Sequence, residues 1–223
     1  VADQGQVIYY CKDLTPFLAV AGLSREERAA QRQALGLGEQ DLVMGNVSRI
    51  VPWKGHDVAL EVFAHLKNTF PTLKLLIVGD AMTASERGFK ERLLSQVRRR
   101  GWQEDVIFTG WVRDPARYFA AFDLYLLTSM PFEGVPGAVI EAAVAGVPVV
   151  GFDCYGVREI PGVQATLVPP KDTQALTLAV RDQLHRLSAR ENLRPGNGAS
   201  VGAIQEQMRQ QFDLGSMVNK TWD

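Results

Sequence analysis

Short apolar runs alternate with amphipathic helical patterns through the middle of this 223-residue chain. Each run is nearly continuous in Val, Ile and Leu, which is typical of strands buried on both faces of a parallel sheet. Strand–helix alternation with right-handed crossovers gives a doubly wound arrangement. We therefore expect an α/β fold, a Rossmann-like parallel sheet of about six strands with helices on both faces. Strands are predicted at 42–48, 73–79, 106–110, 124–128, 147–151 and 165–168, and helices at 56–70, 86–100, 115–122, 136–145 and 172–187.

The pattern divides the chain into three segments. Residues 41–190 carry the alternation and form the predicted Rossmann-like domain. Residues 1–40 hold a possible strand at 6–10 and a helix at 24–35 that starts with a capping box, and we expect them to lead in from a preceding domain. Residues 191–223 begin as a loop rich in Asn, Gly and Pro and end in helical pieces. Because the chain starts at Val1 and stops within a helical pattern, we expect it to be part of something longer.

Composition and net charge argue against several classes of function. A formal net charge of −1 gives no general nucleic-acid footprint. The two cysteines, Cys11 and Cys154, lie far apart, and the three histidines form no i, i+4 pair. No metal site is therefore expected, and a reducing, cytoplasmic compartment is favoured over a secreted one.

Membrane attachment is weakly indicated. No apolar run reaches the roughly 18 residues that span a bilayer. The basic run Arg98–Arg100 ends a predicted helix, where cations complement the helix dipole. We interpret it as a solvated helix end, with contact to the inner face of an anionic membrane as the alternative.

The loop after the first predicted strand offers two cations. Ligands of such sheets bind beyond the carboxyl ends of the strands, which directs attention to these loops. Arg49 and Lys54 stand five positions apart between a strand and a helix. Arginine grips a phosphate bidentately and lysine adds a point charge, so the pair suits a diphosphate. The alternative is ordinary surface charge.

The loop after the fourth strand carries two carboxylates eight positions apart, Glu133 and Glu141. Gly134 and Gly137 allow close backbone approach, and Pro136 suits a first helical turn. The amides of residues 137–139 would then point outward as an anion site. Glu141 lies roughly 7–8 Å further along an apolar helix, where a ribose beside the first turns would supply hydroxyl donors. The alternative is a helix start plus one buried glutamate bonded to neighbouring backbone.

These motifs occur in one order that resembles a known family. They are the segments 48–57, 75–80, 106–112, 133–142 and 145–150. The order is similar to that of the carboxyl-terminal half of group 1, or family 4, glycosyltransferases, over about residues 40–190. These are retaining enzymes of the GT-B fold, with two Rossmann-like domains facing across a cleft. The resemblance implies donor binding by this half, acceptor binding mostly by the absent amino-terminal half, and neither a metal nor another cofactor.

The resemblance also implies roles for single residues. Arg49 and Lys54 would bind the donor diphosphate and stabilise the leaving group. Glu133 would lie near the donor sugar or the distal phosphate, and Glu141 would accept hydrogen bonds from the ribose. Further donor contacts, mostly through backbone, are implied for Val112, Gly134, Val135, Pro136, Gly137, Ala138 and Val139.

Some questions stay open at the level of sequence. Asp80, after the second strand, equally suits contact with the nucleotide and a cap on the following segment. A non-catalytic nucleotide-sugar-binding module and a nucleotide-sugar epimerase are the rival functions. A nicotinamide dehydrogenase is disfavoured, since 48–55 lacks Gly-x-Gly-x-x-Gly. The base, donor sugar and acceptor are not specified.

Overall fold

A computed structural model describes residues 13–130, 134–154, 156–160, 163–189 and Glu206. The possible strand at 6–10 therefore lies outside the described residues, as does nearly all of the predicted loop and helical pieces at 191–223. The assignment of residues 1–40 to a lead-in from a preceding domain stays a prediction.

Six parallel strands form one sheet in the order β3-β2-β1-β4-β5-β6. This confirms the predicted Rossmann-like sheet. The chain moves outward from β1 to β3 and then returns to place β4 on the other side of β1. The strands are β1 (Leu42–Val47), β2 (Leu73–Val78), β3 (Val106–Phe108), β4 (Leu124–Leu127), β5 (Val149–Phe152) and β6 (Ala165–Val168).

Helices cover the sheet in two groups. α3 packs on β2 and against α4 and α7, whereas α6 packs on β4 and β5 and against α1, which also contacts α5. The central strands between them are almost wholly buried. The helices are α1 (Thr15–Ala21), α2 (Arg25–Ala34), α3 (His56–Lys67), α4 (Ala84–Arg100), α5 (Ala116–Phe119), α6 (Gly137–Val144) and α7 (Thr173–Ala189), with 3₁₀ turns at Pro52–Lys54 and Val157–Glu159.

α2 and α7 start one residue later than predicted, and the starts of α4, α5 and α6 differ for reasons that the structure shows. α4 starts two residues early because Thr83 and Glu86 form a reciprocal capping box that the sequence analysis missed. α5 is only one turn long and begins after Pro115, although Asp114 accepts the predicted cap bond from the Ala116 amide at 3.1 Å. α6 begins at Gly137, with Pro136 in the N-cap position rather than inside the helix.

A buried ion pair attaches α2 to the amino-terminal edge of the sheet. The predicted capping box at Ser24 is present and starts this helix. The Arg32 guanidinium lies 3.2 Å from the Asp123 carboxylate, which also accepts the Val43 amide at 2.7 Å. Arg32 further donates to the Ala121 and Asp41 carbonyls. α2 is therefore fixed to the loops that enter β1 and β4.

Within the described part of the chain, no helix combines the length and the apolarity that crossing a bilayer requires.

Candidate functional site

The strand order reverses beside β1, so the loops that leave β1 and β4 face each other across a crevice at the carboxyl edge of the sheet. The two loops are bonded together. The Met130 amide donates to the Trp53 carbonyl at 2.8 Å, and the Thr128 hydroxyl donates to the Lys54 carbonyl at 2.8 Å. This crevice is where sheets of this class bind ligands.

Lys54 ends the 3₁₀ turn in the loop that follows β1. Its Nζ lies 4.5 Å from the centroid of the Trp53 ring, in cation–π contact. Burial lowers the pKa of the Lys54 ammonium to about 8, and the positive charge of nearby Arg49 opposes its protonation further, whereas Cys154 acts in the other direction. A cation so placed gains from the arrival of an anion.

Arg49 lies on the outer side of the same loop. Its side chain is 47% exposed, and its Nε lies 3.8 Å from Glu86 Oε1 at the start of α4. Glu86 is itself held by the Met82 and Thr83 amides, at 2.7 and 3.2 Å. Arg49 thus lies within electrostatic range of Lys54, and its guanidinium is directed toward α4.

Glu141 lies in α6, the helix that follows β4, and is buried, with 3% of its surface exposed. Burial and the nearby Glu141 charge together raise the pKa of the Tyr125 phenol. The Tyr125 hydroxyl reaches the Val47 carbonyl at 3.4 Å, at the end of β1. Glu141 therefore lies near Tyr125, whose hydroxyl reaches the end of β1, and its contact with a ribose stays a prediction.

The tip of α6 differs in detail from the predicted anion site. The Val139 amide donates to the Pro136 carbonyl at 2.9 Å, so the prediction of three outward amides is wrong for Val139. Among the described residues, the Gly137 and Ala138 amides precede this first turn bond and have no acceptor within the helix. The tip thus offers two amides to an anion rather than three.

The loop after β5 supports the segment that leads into α6. Gly156 adopts a φ of +83°, and an added Cβ there would lie 2.9 Å from the Val135 backbone nitrogen. Only glycine lets these two loops approach so closely. Gly134 and Val135 are thereby placed next to the helix tip, whereas the predicted catalytic residue Glu133 lies outside the described residues.

Asp80 and Val112 occupy the side of the crevice next to β2 and β3. Asp80 Oδ1 accepts hydrogen bonds from Lys90 at 2.6 Å and from the Ala81 amide at 2.8 Å, and the Lys90 contact is the main reason that its pKa is lowered. Of the two alternatives for Asp80, the described contacts match a cap on the following segment, and the bond from Lys90 also joins Asp80 to α4. Val112 packs partly buried against the core. Nucleotide contacts by either residue stay predictions.

Sequence reasoning missed a set of polar side chains beneath the cationic loop. Asn46, Ser48, His56 and Thr128 form a hydrogen-bonded chain in which His56 and Thr128 are fully buried. The available signal was Asn46 within an otherwise apolar strand, because a buried amide requires partners. His56 does start a helix, as expected, but it also belongs to this set.

In the described part of the chain, no three His, Cys, Asp or Glu side chains are grouped to hold a metal ion. The predicted absence of a metal at the donor is not tested by this finding.

Comparison with known proteins found a matching family and several relatives. The sequence profile of the family described as "Glycosyl transferases group 1" matches residues 27–197. A GDP-mannose-dependent alpha-(1-6)-phosphatidylinositol monomannoside mannosyltransferase from Mycolicibacterium smegmatis is 30% identical over 169 residues, covering 71% of this chain and 42% of that protein. A D-inositol 3-phosphate glycosyltransferase from Segniliparus rotundus is 31% identical over 185 residues, covering 78% of this chain and 38% of its own length.

Solved structures show the same fold. The crystal structure of Anabaena Alr3699/HepE in complex with UDP superposes with a TM-score of 0.80 and 26% identity, covering 100% of this chain and 57% of that one. The same protein was also solved in complex with UDP-glucose. The chain thus spans less than two thirds of the length of each of these relatives.

Proposed function

Because the chain belongs to the group 1 glycosyl transferases, we propose that it is the donor-binding half of a retaining enzyme that transfers a sugar from a nucleoside diphosphate sugar to an acceptor hydroxyl. The observation that carries the proposal is the placement of charge on the two elements beside the reversal of strand order. Lys54 and Arg49 follow β1, and the buried Glu141 carboxylate lies in α6, after β4.

The charges suit the two ends of a nucleoside diphosphate. Lys54 and Arg49, with the Gly137 and Ala138 amides opposite, would surround the phosphates, and Glu141 would accept the ribose hydroxyls. As the bond between sugar and phosphate lengthens, negative charge grows on the diphosphate, and fixed positive groups stabilise that charge most in the transition state. Removing one such group costs roughly 10²–10³ in rate in studied enzymes.

Finer parts of the proposal rest on the family resemblance. They are retention of the anomeric configuration, a hexose as the transferred group, Glu133 beside the donor sugar, and a donor site that needs no metal. The name of one relative mentions GDP-mannose, and a solved neighbour holds UDP-glucose, so both donors are reasonable probes. The cysteine usage supports a cytoplasmic enzyme, with peripheral contact to the inner face of the membrane as the variant.

The acceptor would be held mostly by the other half of the enzyme. Without that half, water exclusion and acceptor positioning are lost. We therefore propose that this chain alone binds nucleoside diphosphate weakly and transfers little or no sugar.

The test is donor turnover by the full-length protein with labelled UDP-glucose and GDP-mannose and a panel of hydroxyl acceptors. Transfer with retained anomeric configuration, strongly reduced in Lys54→Ala and Arg49→Ala, would support the proposal. Arg181→Ala is the control, because Arg181 is an exposed residue of α7 paired with its neighbour Asp182. Unchanged turnover in both site variants would remove the role of the cations.

The same assay separates the rival functions. An epimerase would return a changed sugar still attached to its nucleotide. A binding module would bind the donor without consuming it under any acceptor condition.

A further inference from the structure

We infer that a closed circuit of buried hydrogen bonds through Asn46, Ser48, His56 and Thr128 holds the Lys54 loop against the β4 loop and so positions Lys54 for the diphosphate. The inference rests on the proposed function for the role of Lys54. The four side chains act through Lys54 and are positioning residues.

The direction of each bond is forced by groups that can only accept. The Asn46 Nδ2 lies 3.0 Å from the Leu126 carbonyl, and a carbonyl only accepts, so the amide nitrogen must be on that side. Asn46 Oδ1 therefore faces the Ser48 hydroxyl at 3.0 Å. Because a carboxamide oxygen also only accepts, the single Ser48 proton is committed to Asn46.

This assignment fixes the state of His56. With its proton already donated, Ser48 Oγ can only accept from His56 Nε2, which lies 3.1 Å away. His56 Nε2 must then carry a proton, as it does both in one neutral tautomer and in the imidazolium. Its Nδ1 is buried and has no hydrogen-bond partner among the described residues. Burial lowers the pKa of His56 to about 4, against an opposing contribution from the Val51 backbone, and the nearby Lys54 charge lowers it further, so the ring is neutral at physiological pH.

The second branch returns to the cationic loop. Asn46 Nδ2 also lies 3.5 Å from Thr128 Oγ1, at the long limit of a hydrogen bond, and the Thr128 hydroxyl donates to the Lys54 carbonyl at 2.8 Å. Because His56 follows Lys54 by two residues, the circuit closes on the loop itself.

Backbone contact reinforces the same junction. Gly55, between Lys54 and His56, has a φ of +69°, and an added Cβ would lie 2.2 Å from the Thr128 carbonyl oxygen. The Lys54 backbone is thus held by a hydrogen bond on one side and by close packing on the other. A side chain that must meet a developing charge depends on such support, since a misplacement of about 1 Å can cost about 100-fold in rate.

The circuit itself is tested by ¹⁵N NMR of the His56 imidazole in this chain. We expect the Nε2-protonated tautomer to persist from pH 8 to pH 5. His56→Gln places an amide donor where Nε2 stands, and His56→Asn places one nearer Nδ1, so Gln should retain the fold of the loop better than Asn. An Nδ1-protonated ring, or protonation with an ordinary midpoint at about pH 6.5, would overturn the circuit.

The positioning role is tested by steady-state kinetics of the full-length enzyme. Thr128→Val keeps the volume and removes the hydroxyl, and we expect kcat to fall about tenfold or more with little change in donor KM. Thr128→Ser restores the hydroxyl and should restore most of kcat. Wild-type kcat in a folded Thr128→Val enzyme would overturn the role.

The NMR and kinetic experiments distinguish a failure of this inference from a failure of the proposed function. An intact enzyme that neither binds a nucleoside diphosphate nor consumes a donor sugar would defeat the proposed function, and with it the positioning of Lys54 for a diphosphate. The imidazole spectrum would still decide whether the circuit exists.

Discussion

Lys54 is a lysine whose charge is opposed by its own surroundings. Burial and the neighbouring Arg49 disfavour the ammonium, and the pKa is lowered to about 8. Such a group is charged at neutral pH but loses its proton as the pH rises through that value. If the charge serves the diphosphate, activity must follow this titration.

We predict that kcat/KM for the donor in the full-length enzyme falls above about pH 8, by about tenfold for each further pH unit, because this ratio reports groups of the free enzyme. In Lys54→Arg the guanidinium stays charged, and the alkaline decline should disappear even if the maximal rate is lower. A pH–rate profile of both enzymes from pH 6 to 10 is the measurement. The same alkaline decline in the arginine variant would assign the titration to another group.

At the scale of elements, the site depends on how closely the β1 loop lies against the β4 loop. Gly55 makes that contact possible through its left-handed φ of +69° and the absence of a side chain. Gly101, at the end of α4, has a nearly equal φ of +70° but no atom within 4 Å of an added Cβ. The two glycines differ in surroundings and share the same backbone conformation.

We predict that Gly101→Ala lowers the free energy of unfolding by about 1–2 kcal/mol, the cost of a left-handed conformation for an ordinary residue. Gly55→Ala should cost at least about 2 kcal/mol more, because the new methyl group must push the β4 loop away. Urea unfolding of both variants measures the difference. Equal losses would show that the two loops are not in tight contact.

Sequence patterns predicted the strands and helices better than the contacts between them. The apolar runs predicted all six strands because buried parallel strands leave a local signature in Val, Ile and Leu. The order of the strands has no local signature, so the contact between Thr128 and Lys54 could not be read from a pattern. Glu141 could be singled out as a candidate site residue because a glutamate within an apolar helix is buried and requires a partner. The length of α5 was overestimated, because helix propensity alone does not determine where tertiary packing ends a helix.

At the scale of the whole molecule, α2 is joined to the sheet far from the crevice. Arg32 and Asp123 are both buried, and Asp123 also receives the Val43 amide of β1. Arg25, two turns earlier in the same helix, pairs at 2.9 Å with Glu39, but both side chains are largely exposed. The buried pair therefore ties α2 to the sheet.

We predict that Arg32→Ala lowers the free energy of unfolding by about 3–5 kcal/mol, because it leaves the buried Asp123 carboxylate without that guanidinium. Arg25→Ala should cost no more than about 1 kcal/mol, as exposed pairs do. Denaturant unfolding of the chain compares the two. Equal effects would mean that α2 contributes little to the stability of the sheet.

The central claim is that the crevice binds a nucleoside diphosphate with Glu141 at the ribose. The direct measurement is calorimetric titration of the chain with UDP, GDP and ADP. It compares the wild type with Glu141→Gln and with a control, Glu61→Gln, on the exposed face of α3. We predict one-to-one binding of at least one nucleotide, weakened about 10- to 100-fold in Glu141→Gln by loss of charge-assisted hydrogen bonds and unchanged in Glu61→Gln. No binding of any of the three, or equal binding by Glu141→Gln, would contradict the account.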